Sequence, residues 1–271
     1  MHSLVIGMGD TGQRVAQGLL ALGHRVTGVR RSIHAVAGVQ MLAQSVHQLD
    51  LSNIAPVDQV YVILAPDQSD AAGYQQTFLH SIEPLRQALS VHPVQRLYLI
   101  SSTSVYAQDQ GEWVDEQSPT EPERFNGSVL LQAERHWRAL YADRLVVIRP
   151  SGIYSAHRRR LVRWLQSGRP VATQAWSNRI HIEDLAGFLV HLATLTQVEP
   201  CYIATDDQPC YLDHILAGLA DQLHLHMVDR IEQPVSGKRL SNQQLKQSGY
   251  VLRYANWQAG YAGLTLGAID V

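Results

Sequence analysis

The sequence predicts an α/β protein built on a doubly wound parallel sheet, with a small C-terminal substrate-binding region. Three observations lead there. Short apolar runs recur through the first half of the chain, and they are continuous rather than alternating, as strands buried on both faces require. Turn residues bound each run. Between the runs lie segments with apolar residues at helical spacing, so strand and helix alternate.

The strand-length runs cover residues 4–6, 25–29, 60–65, 97–100 and 145–148. The first helical pattern is Val15, Leu19 and Leu22, closed by Gly23, a residue suited to the left-handed position after a helix. The second is Tyr74, Phe78, Ile82, Leu85 and Leu89; Pro84 inside it removes an amide donor and clashes with the preceding turn, which predicts a kink or a fresh start. The third is Leu130, Ala133, Trp137 and Leu140. Beyond Tyr154 the pattern loosens into an arginine-rich helix over 158–166, a Gly-Arg-Pro turn, an amphipathic helix over 181–195, a strand over 202–204 and a helix over 213–223. This third of the chain is expected to pack over the carboxyl ends of the strands, where open α/β sheets bind ligands.

Composition narrows the function classes. A chain of 271 residues makes one large domain or one domain with an annex. With 45% hydrophobic and 17% charged residues it is neither disordered nor fibrous. Twenty-two basic against 24 acidic residues give a net charge of −2, so no broad positive field exists and nucleic acid is not an expected partner. No apolar run approaches the roughly 20 residues that span a bilayer, and no signal peptide is recognisable, so a cytoplasmic protein without a membrane partner is expected. Cys201 and Cys210 lack CxxC spacing and read as buried thiols; no metal site is expected.

The chemistry begins at Gly7-Met8-Gly9-Asp10-Thr11-Gly12, a GxGxxG directly after a strand and before a helix. In that context Gly7 allows the tight turn, Gly9 lets backbone approach a pyrophosphate, and Gly12 permits close helix-to-strand packing, with the helix dipole facing the negative charge. Residues 1–154 therefore read as a dinucleotide-binding Rossmann domain, and 155–271 as a smaller mixed region with about 180–204 returning to the main sheet. An NAD site wants an acid at the end of the second strand for the ribose 2′-hydroxyl; here Arg30 and Arg31 stand instead, and two guanidiniums suit a 2′-phosphate. NADP(H) is expected over NAD(H).

With these residues in view, the chain resembles the extended short-chain dehydrogenases/reductases of the NAD-dependent epimerase/dehydratase family, in an atypical branch. Asp50-Leu51 is similar to the family's adenine-edge contact, and Leu64-Ala65-Pro66 to the segment lining its nicotinamide side. Ile100-Ser101-Ser102-Thr103-Ser104-Val105-Tyr106 resembles SSxxVYG, Arg149-Pro150-Ser151-Gly152-Ile153-Tyr154 resembles RPxxVYG, and Ile180-His181-Ile182-Glu183-Asp184-Leu185-Ala186 resembles IHVxDLA. The glycine turn, the two arginines and the resemblance together give the expected cofactor contacts as Gly7, Gly9, Asp10, Thr11, Gly12, Arg30, Arg31, Asp50, Leu51, Ala65, Pro66, Ser101, Pro150 and Ile153. Thr103, Tyr154, Arg158 and Arg179 are the expected substrate contacts, the two arginines as departures from the family's pattern, and by position Ser102 is the candidate catalytic serine.

In that family a tyrosine and a lysine four residues later complete the site, because a phenol with pKa near 10 needs a nearby cation to act as a base at neutral pH. Here Asn126 stands at the tyrosine and Leu130 at the lysine; the only lysines are Lys238 and Lys246, and neither follows a tyrosine by four. Tyr106 is a lesser candidate for proton donor, and Tyr154 with Arg158 imitates the spacing without the helix. The usual diphosphate-holding arginine before the IHVxD histidine is Ser177 here, with Arg179 displaced by two, so a nucleotide-sugar substrate is not expected; the run His157 to Arg160 with Arg163 offers an alternative anion site or a solvated face. Asp184 reads as a helix N-cap and His181 as a structural side chain. No HExxH, GxxxxGK[ST] or GxSxG occurs.

Two functional readings follow. One is an oxidoreductase or epimerase-like protein acting on a small metabolite; the other is a catalytically deficient NADP(H)-binding sensor. The helix over 128–141, with Leu131 and Trp137, either pairs two copies into a homodimer or buries these residues against its own sheet in a monomer.

Overall fold

The computed structural model describes residues 1–32 and 34–265. In chain order the strands and helices are β1 (His2–Ile6), α1 (Asp10–Ala21), β2 (Arg25–Arg30), β3 (Val39–Ala43), β4 (Gln59–Val62), α2 (Ala71–Phe78), α3 (Ile82–Leu89) and β5 (Arg96–Ile100). Then come β6 (Trp113–Val114), α4 (Phe125–Tyr141), β7 (Leu145–Pro150), β8 (Gly152–Tyr154), α5 (Arg160–Gln166), β9 (Val171–Ala172), β10 (Trp176–Ser177) and β11 (Arg179–His181). The remainder is α6 (Ile182–Thr194), β12 (Cys201–Ala204), β13 (Cys210–Tyr211), α7 (Leu212–Leu223), β14 (Arg230–Ile231), β15 (Arg239–Leu240), α8 (Gln243–Gln247) and α9 (Trp257–Tyr261).

The chain divides into two compact units that interleave along the sequence, where the sequence reading draws one boundary at residue 154. The first comprises Met1–Ala107, Pro119–Arg149 and Ala186–Tyr202; the second comprises Gln108–Ser118, Pro150–Leu185 and the described part of Ile203–Val271.

The main sheet has seven strands in the order β12-β7-β5-β4-β1-β2-β3. Pairing is parallel from β3 through β2, β1, β4 and β5 to β7. All five expected strands are present. β3 is the addition: an edge strand with no fully buried residue, and therefore without the continuous apolar run that marks the others. Chain order reverses between β1 and β4, which makes their carboxyl ends the topological switch point.

The helical pattern around Pro84 resolves as a fresh start: α2 ends at Phe78, and Pro84 sits in the first turn of α3, where its missing N–H costs nothing. Gly23 follows α1 at φ +80°, as its place after the helix requires. Leu131 and Trp137 of α4 are buried inside the first unit, against its own sheet and helices. Tyr61 of β4 and Tyr98 of β5 stack in that core with ring centroids 4.6 Å apart.

The second unit has its own apolar cluster, in which Leu161, Val162 and Leu165 of α5 meet Ile215, Leu216 and Leu219 of α7. The arginine-rich helix begins at Arg160 rather than 158, because residues 155–158 form a turn closed by Arg158 N–H on the Ser155 carbonyl (3.1 Å). The cysteines are half-buried and free rather than fully enclosed. Among the described residues no helix is long and apolar enough to cross a membrane.

Candidate functional site

The switch point of the sheet opens into a pocket of about 380 Å³, in the size range of small-molecule sites. The turn after β1 forms its floor. Gly7 has φ +102°, and a Cβ there would lie 2.0 Å from the Ile63 carbonyl oxygen, so only glycine fits. The Gly7 and Met8 amides both donate to Val29 O, at 3.1 and 3.2 Å, which pins the turn to the end of β2. Gly12 is equally constrained: a Cβ would stand 2.1 Å from Gly7 O.

Gly9 differs. A Cβ on it would meet nothing within 4 Å, so its lack of a side chain is needed by no neighbour in the fold and leaves open space at the mouth of α1. Gly9 is also the N-cap of that helix and supplies no side-chain cap; the ladder begins with Gln13 N–H on Gly9 O at 2.9 Å. An uncapped N-terminal turn carrying the positive end of the dipole thus borders the pocket. Thr11 is buried beneath it, and Asp10 is exposed, its carboxylate 2.9 Å from Arg14 Nε.

Of the residues read from the sequence as cofactor contacts, Gly7, Gly9, Arg30, Arg31 and Ala65 line this pocket. Asp50 is an exposed turn residue whose carboxylate accepts Ser52 N–H at 2.9 Å, and the Ser52 side chain together with this backbone bond lowers its pKa. It meets the pocket through Gln44, which lines the pocket and accepts Asp50 N–H at 2.7 Å. Leu51 lies in the core, and Pro66 is half-buried after β4. The pocket also takes in residues the sequence reading passed over: Ser45, His47, Gln76 and Asp67. Asp67 receives both terminal nitrogens of Arg31, Nη2 at 2.6 Å from Oδ1 and Nη1 on Oδ2. This bidentate bond holds the Asp67 carboxyl below the usual range. The sheet order contains the missed signal, since β2 and β4 both flank β1 and the residues just past their ends face one another.

A second group gathers where β5 ends. Ser101 is buried, its N–H on Ile148 O at 2.8 Å and its hydroxyl without a partner. Ser102 is half-buried and caps a 3₁₀ turn formed by Thr103–Val105, its hydroxyl accepting Ser104 N–H at 3.1 Å. Helix α4 lies hard against that turn, for a Cβ on Gly127 would be 2.2 Å from Ser104 O. Asn126, half-buried, thereby comes to the Ser102 segment. Leu130, one helical turn on, lines a void of about 10 Å³ with Val62, Leu64, Phe78, Ile100 and Trp137. Its surroundings are apolar apart from the Ser81 and Ser101 hydroxyls.

Tyr106 is buried in an ionic group of its own. Arg149 donates Nη1 to the phenol at 2.7 Å and stacks its guanidinium 5.0 Å above the ring. The same guanidinium forms a fork on Glu134, Nε to Oε1 at 3.1 Å and Nη2 to Oε2 at 2.6 Å. Burial opposes the charge of Arg149, but the Glu134 bond together with the neighbouring Cys201, Glu134 and Tyr106 groups outweighs it and the net pKa is raised.

The remaining candidates belong to the second unit. Pro150 ends β7, and Ile153 and Tyr154 belong to β8, which pairs with β11 so that Tyr154 stands opposite His181. Tyr154 is 1% exposed; its hydroxyl donates to Asn256 O at 3.1 Å, and burial pushes its pKa up. His181 packs edge-on to Tyr154 and face-tilted to Tyr254, and Glu183 N–H donates to its Nδ1 at 3.3 Å. Arg179 is half-buried with Nε unpartnered, while Arg158 is exposed. Asp184 is not an N-cap. It lies inside the first turn of α6 and accepts Arg253 N–H (2.7 Å), Tyr254 N–H (2.9 Å) and the Tyr250 hydroxyl (3.2 Å), anchoring the C-terminal segment.

A parallel sheet in this order, with a glycine turn and an uncapped helix at its switch point, is the Rossmann fold of NAD(P)-binding proteins. The chain belongs to the NAD dependent epimerase/dehydratase family, whose sequence model matches residues 3–200. A putative NAD-dependent epimerase/dehydratase from Methylobacillus flagellatus is 33% identical, with TM-score 0.81 over 98% of each chain. Protein YeeZ of Escherichia coli K12 is 26% identical over 199 residues, 69% of this chain and 71% of YeeZ. The fold is also shared with human epimerase family protein SDR39U1, solved with NADPH, at 20% identity and TM-score 0.75 over 96% of this chain and 97% of that one.

Proposed function

We propose that this chain binds NADP(H) at the β1/β4 switch point and serves as an oxidoreductase or epimerase-like protein for a small metabolite. The convergence of the glycine turn, the α1 N-terminus and the Arg30 and Arg31 guanidiniums on one pocket carries the reading. Gly9, whose missing Cβ leaves open space where no neighbour needs it, fits the close approach of a pyrophosphate. Arg30 and Arg31 would hold the 2′-phosphate, and the nicotinamide, when bound, supplies the hydride exchange. Proteins that share the fold were solved with NADPH and with NAD, which supports a nicotinamide dinucleotide and leaves the choice between the two to Arg30 and Arg31. NAD(H) is the weaker ligand in this reading.

A second reading, a non-catalytic sensor that reports cofactor occupancy to a partner, is favoured by one observation. The helix position that would carry a lysine is Leu130, 5% exposed among apolar side chains.

The test is a fluorescence titration of the purified chain with NADPH and NADH, followed by an aldehyde and ketone screen with the preferred cofactor. Tighter binding of NADPH is expected. Equal affinity would remove the arginine argument, and binding of neither would remove the cofactor reading. Tight NADPH binding with no turnover across the screen would turn the assignment to the sensor.

A further inference from the structure

We infer that Asp67 is a built-in competitor for the cofactor's 2′-phosphate and sets how strongly the pocket discriminates NADP(H) from NAD(H). The inference rests on the pocket taking a 2′-phosphorylated dinucleotide, as proposed above.

Both partners line the pocket, Arg31 from just beyond β2 and Asp67 from beyond β4. These strands lie on opposite sides of β1, so the pair bridges the mouth across the turn that begins at Gly7. The carboxylate uses the bidentate face of the guanidinium, with both Nη atoms engaged. That is the same face and geometry by which arginine takes a phosphate. A 2′-phosphate taking this end-on fork on Arg31 has to displace Asp67, and one taking the Nε edge instead sits on a guanidinium whose charge the carboxylate already offsets; in both cases it lies beside a like charge. An unphosphorylated ribose meets neither cost. The carboxylate lies beyond β4, on the other side of β1 from the strand whose end carries the ribose-binding acid in NAD sites, so it acts through Arg31 rather than by holding the 2′-hydroxyl.

Both side chains are largely exposed, at 67% and 63%, so the competition is modest and screened by salt. Removing it should strengthen NADPH binding about five- to tenfold at low ionic strength, combining loss of an exposed pair with loss of one like-charge contact. NADH affinity should not change.

The experiment measures dissociation constants of the full chain and its Asp67→Ala and Arg31→Gln variants for NADPH, NADH and the half-molecules 2′,5′-ADP and 5′-ADP, at low and high salt. Thermal unfolding confirms that each variant is folded, and the exposure of the site makes this outcome expected. Asp67→Ala should tighten NADPH and 2′,5′-ADP, leave NADH and 5′-ADP alone, and lose its advantage in high salt. Arg31→Gln should weaken the phosphorylated ligands only. If wild type binds none of the four, the cofactor reading itself fails. If wild type prefers NADPH while Asp67→Ala changes nothing, the cofactor reading stands and the competitor role is overturned. Weaker NADPH binding by Asp67→Ala also overturns it, since Asp67 would then be holding Arg31 ready for the phosphate.

Discussion

Removing the Glu134 carboxylate should be among the most damaging single changes to the first unit. Glu134 and Arg149 are 6% and 8% exposed, and the guanidinium spends three nitrogens on two buried partners, Glu134 and the Tyr106 hydroxyl. Glu134→Ala leaves a cation that cannot be deprotonated in a site with one neutral hydrogen bond left. Breaking a buried pair in this way costs about 3–5 kcal/mol, a large share of the roughly 5–15 kcal/mol that a protein of ordinary stability has. The complementary change, Arg149→Met, strands the Glu134 carboxylate in turn and should also destabilise the first unit. Replacing both, Glu134→Leu with Arg149→Met, should come within about 1 kcal/mol of wild type, since an apolar pair of similar volume needs no counter-charge. Urea denaturation followed by tryptophan fluorescence and far-ultraviolet circular dichroism measures all four proteins. The exposed Glu83–Arg86 pair is the control, and Glu83→Ala should leave the midpoint essentially unchanged. A loss under about 1 kcal/mol for Glu134→Ala, or a double variant no better than that single, would refute the assignment of a buried, mutually dependent pair.

The three glycines of the turn should separate folding from binding. Gly7→Ala and Gly12→Ala force a Cβ to within 2.0 and 2.1 Å of backbone oxygens and should lower the melting temperature sharply, whereas Gly9→Ala should melt like wild type yet lose most dinucleotide affinity; equal melting of all three would break this reasoning. Burial, reinforced by Asp207 and Asp184 and opposed by the Gln208 amide and Arg179, pushes the Asp206 carboxyl up to about 8. In the unfolded chain it titrates near ~3.9, so its stabilising protonation is complete below that value and is lost as pH rises toward 8. Asp206→Asn should flatten the decline in stability between pH 5 and 8, and parallel curves for the two proteins would count against it. Asp184→Ala removes three acceptor contacts to residues 250–254 and should expose that segment to limited proteolysis, with unchanged cleavage arguing against the anchor.

The central sheet is legible because burial on both faces leaves continuous apolar runs, and the glycine spacing adds where the chain turns. β3 escapes the same reasoning, since an edge strand with half its surface in solvent need not be apolar. Arg30 and Arg31 are readable as pocket residues from their place at the end of β2. Asp67 is not, because its significance comes from a partner 36 residues away and from the strand order that brings the two together. Asp184 misleads for a related reason. An acid ahead of an apolar helix matches the local pattern of a cap, and only the tertiary fold reveals that backbone amides at 253 and 254 claim the carboxylate.

Restoring the family's missing pair, with Asn126→Tyr and Leu130→Lys, would not by itself decide whether the chain is an enzyme. A lysine helps a phenol only while it is charged and close. At position 130 the ammonium would enter a pocket walled by Val62, Leu64, Phe78 and Ile100, where desolvation drives its pKa down and removes the charge that was its purpose. The two substitutions would therefore have to come with a more polar lining around position 130 before the lysine could act. The candidate phenols outside α4 are no easier substitutes: Tyr106 is bound by Arg149, and burial raises the pKa of Tyr154, which makes it a weaker proton donor and keeps its base form out of reach. If this chain reduces a carbonyl without either phenol, solvent or the substrate itself is the expected proton source. The rate should then follow bulk proton availability across pH without the step that an active-site tyrosine would impose.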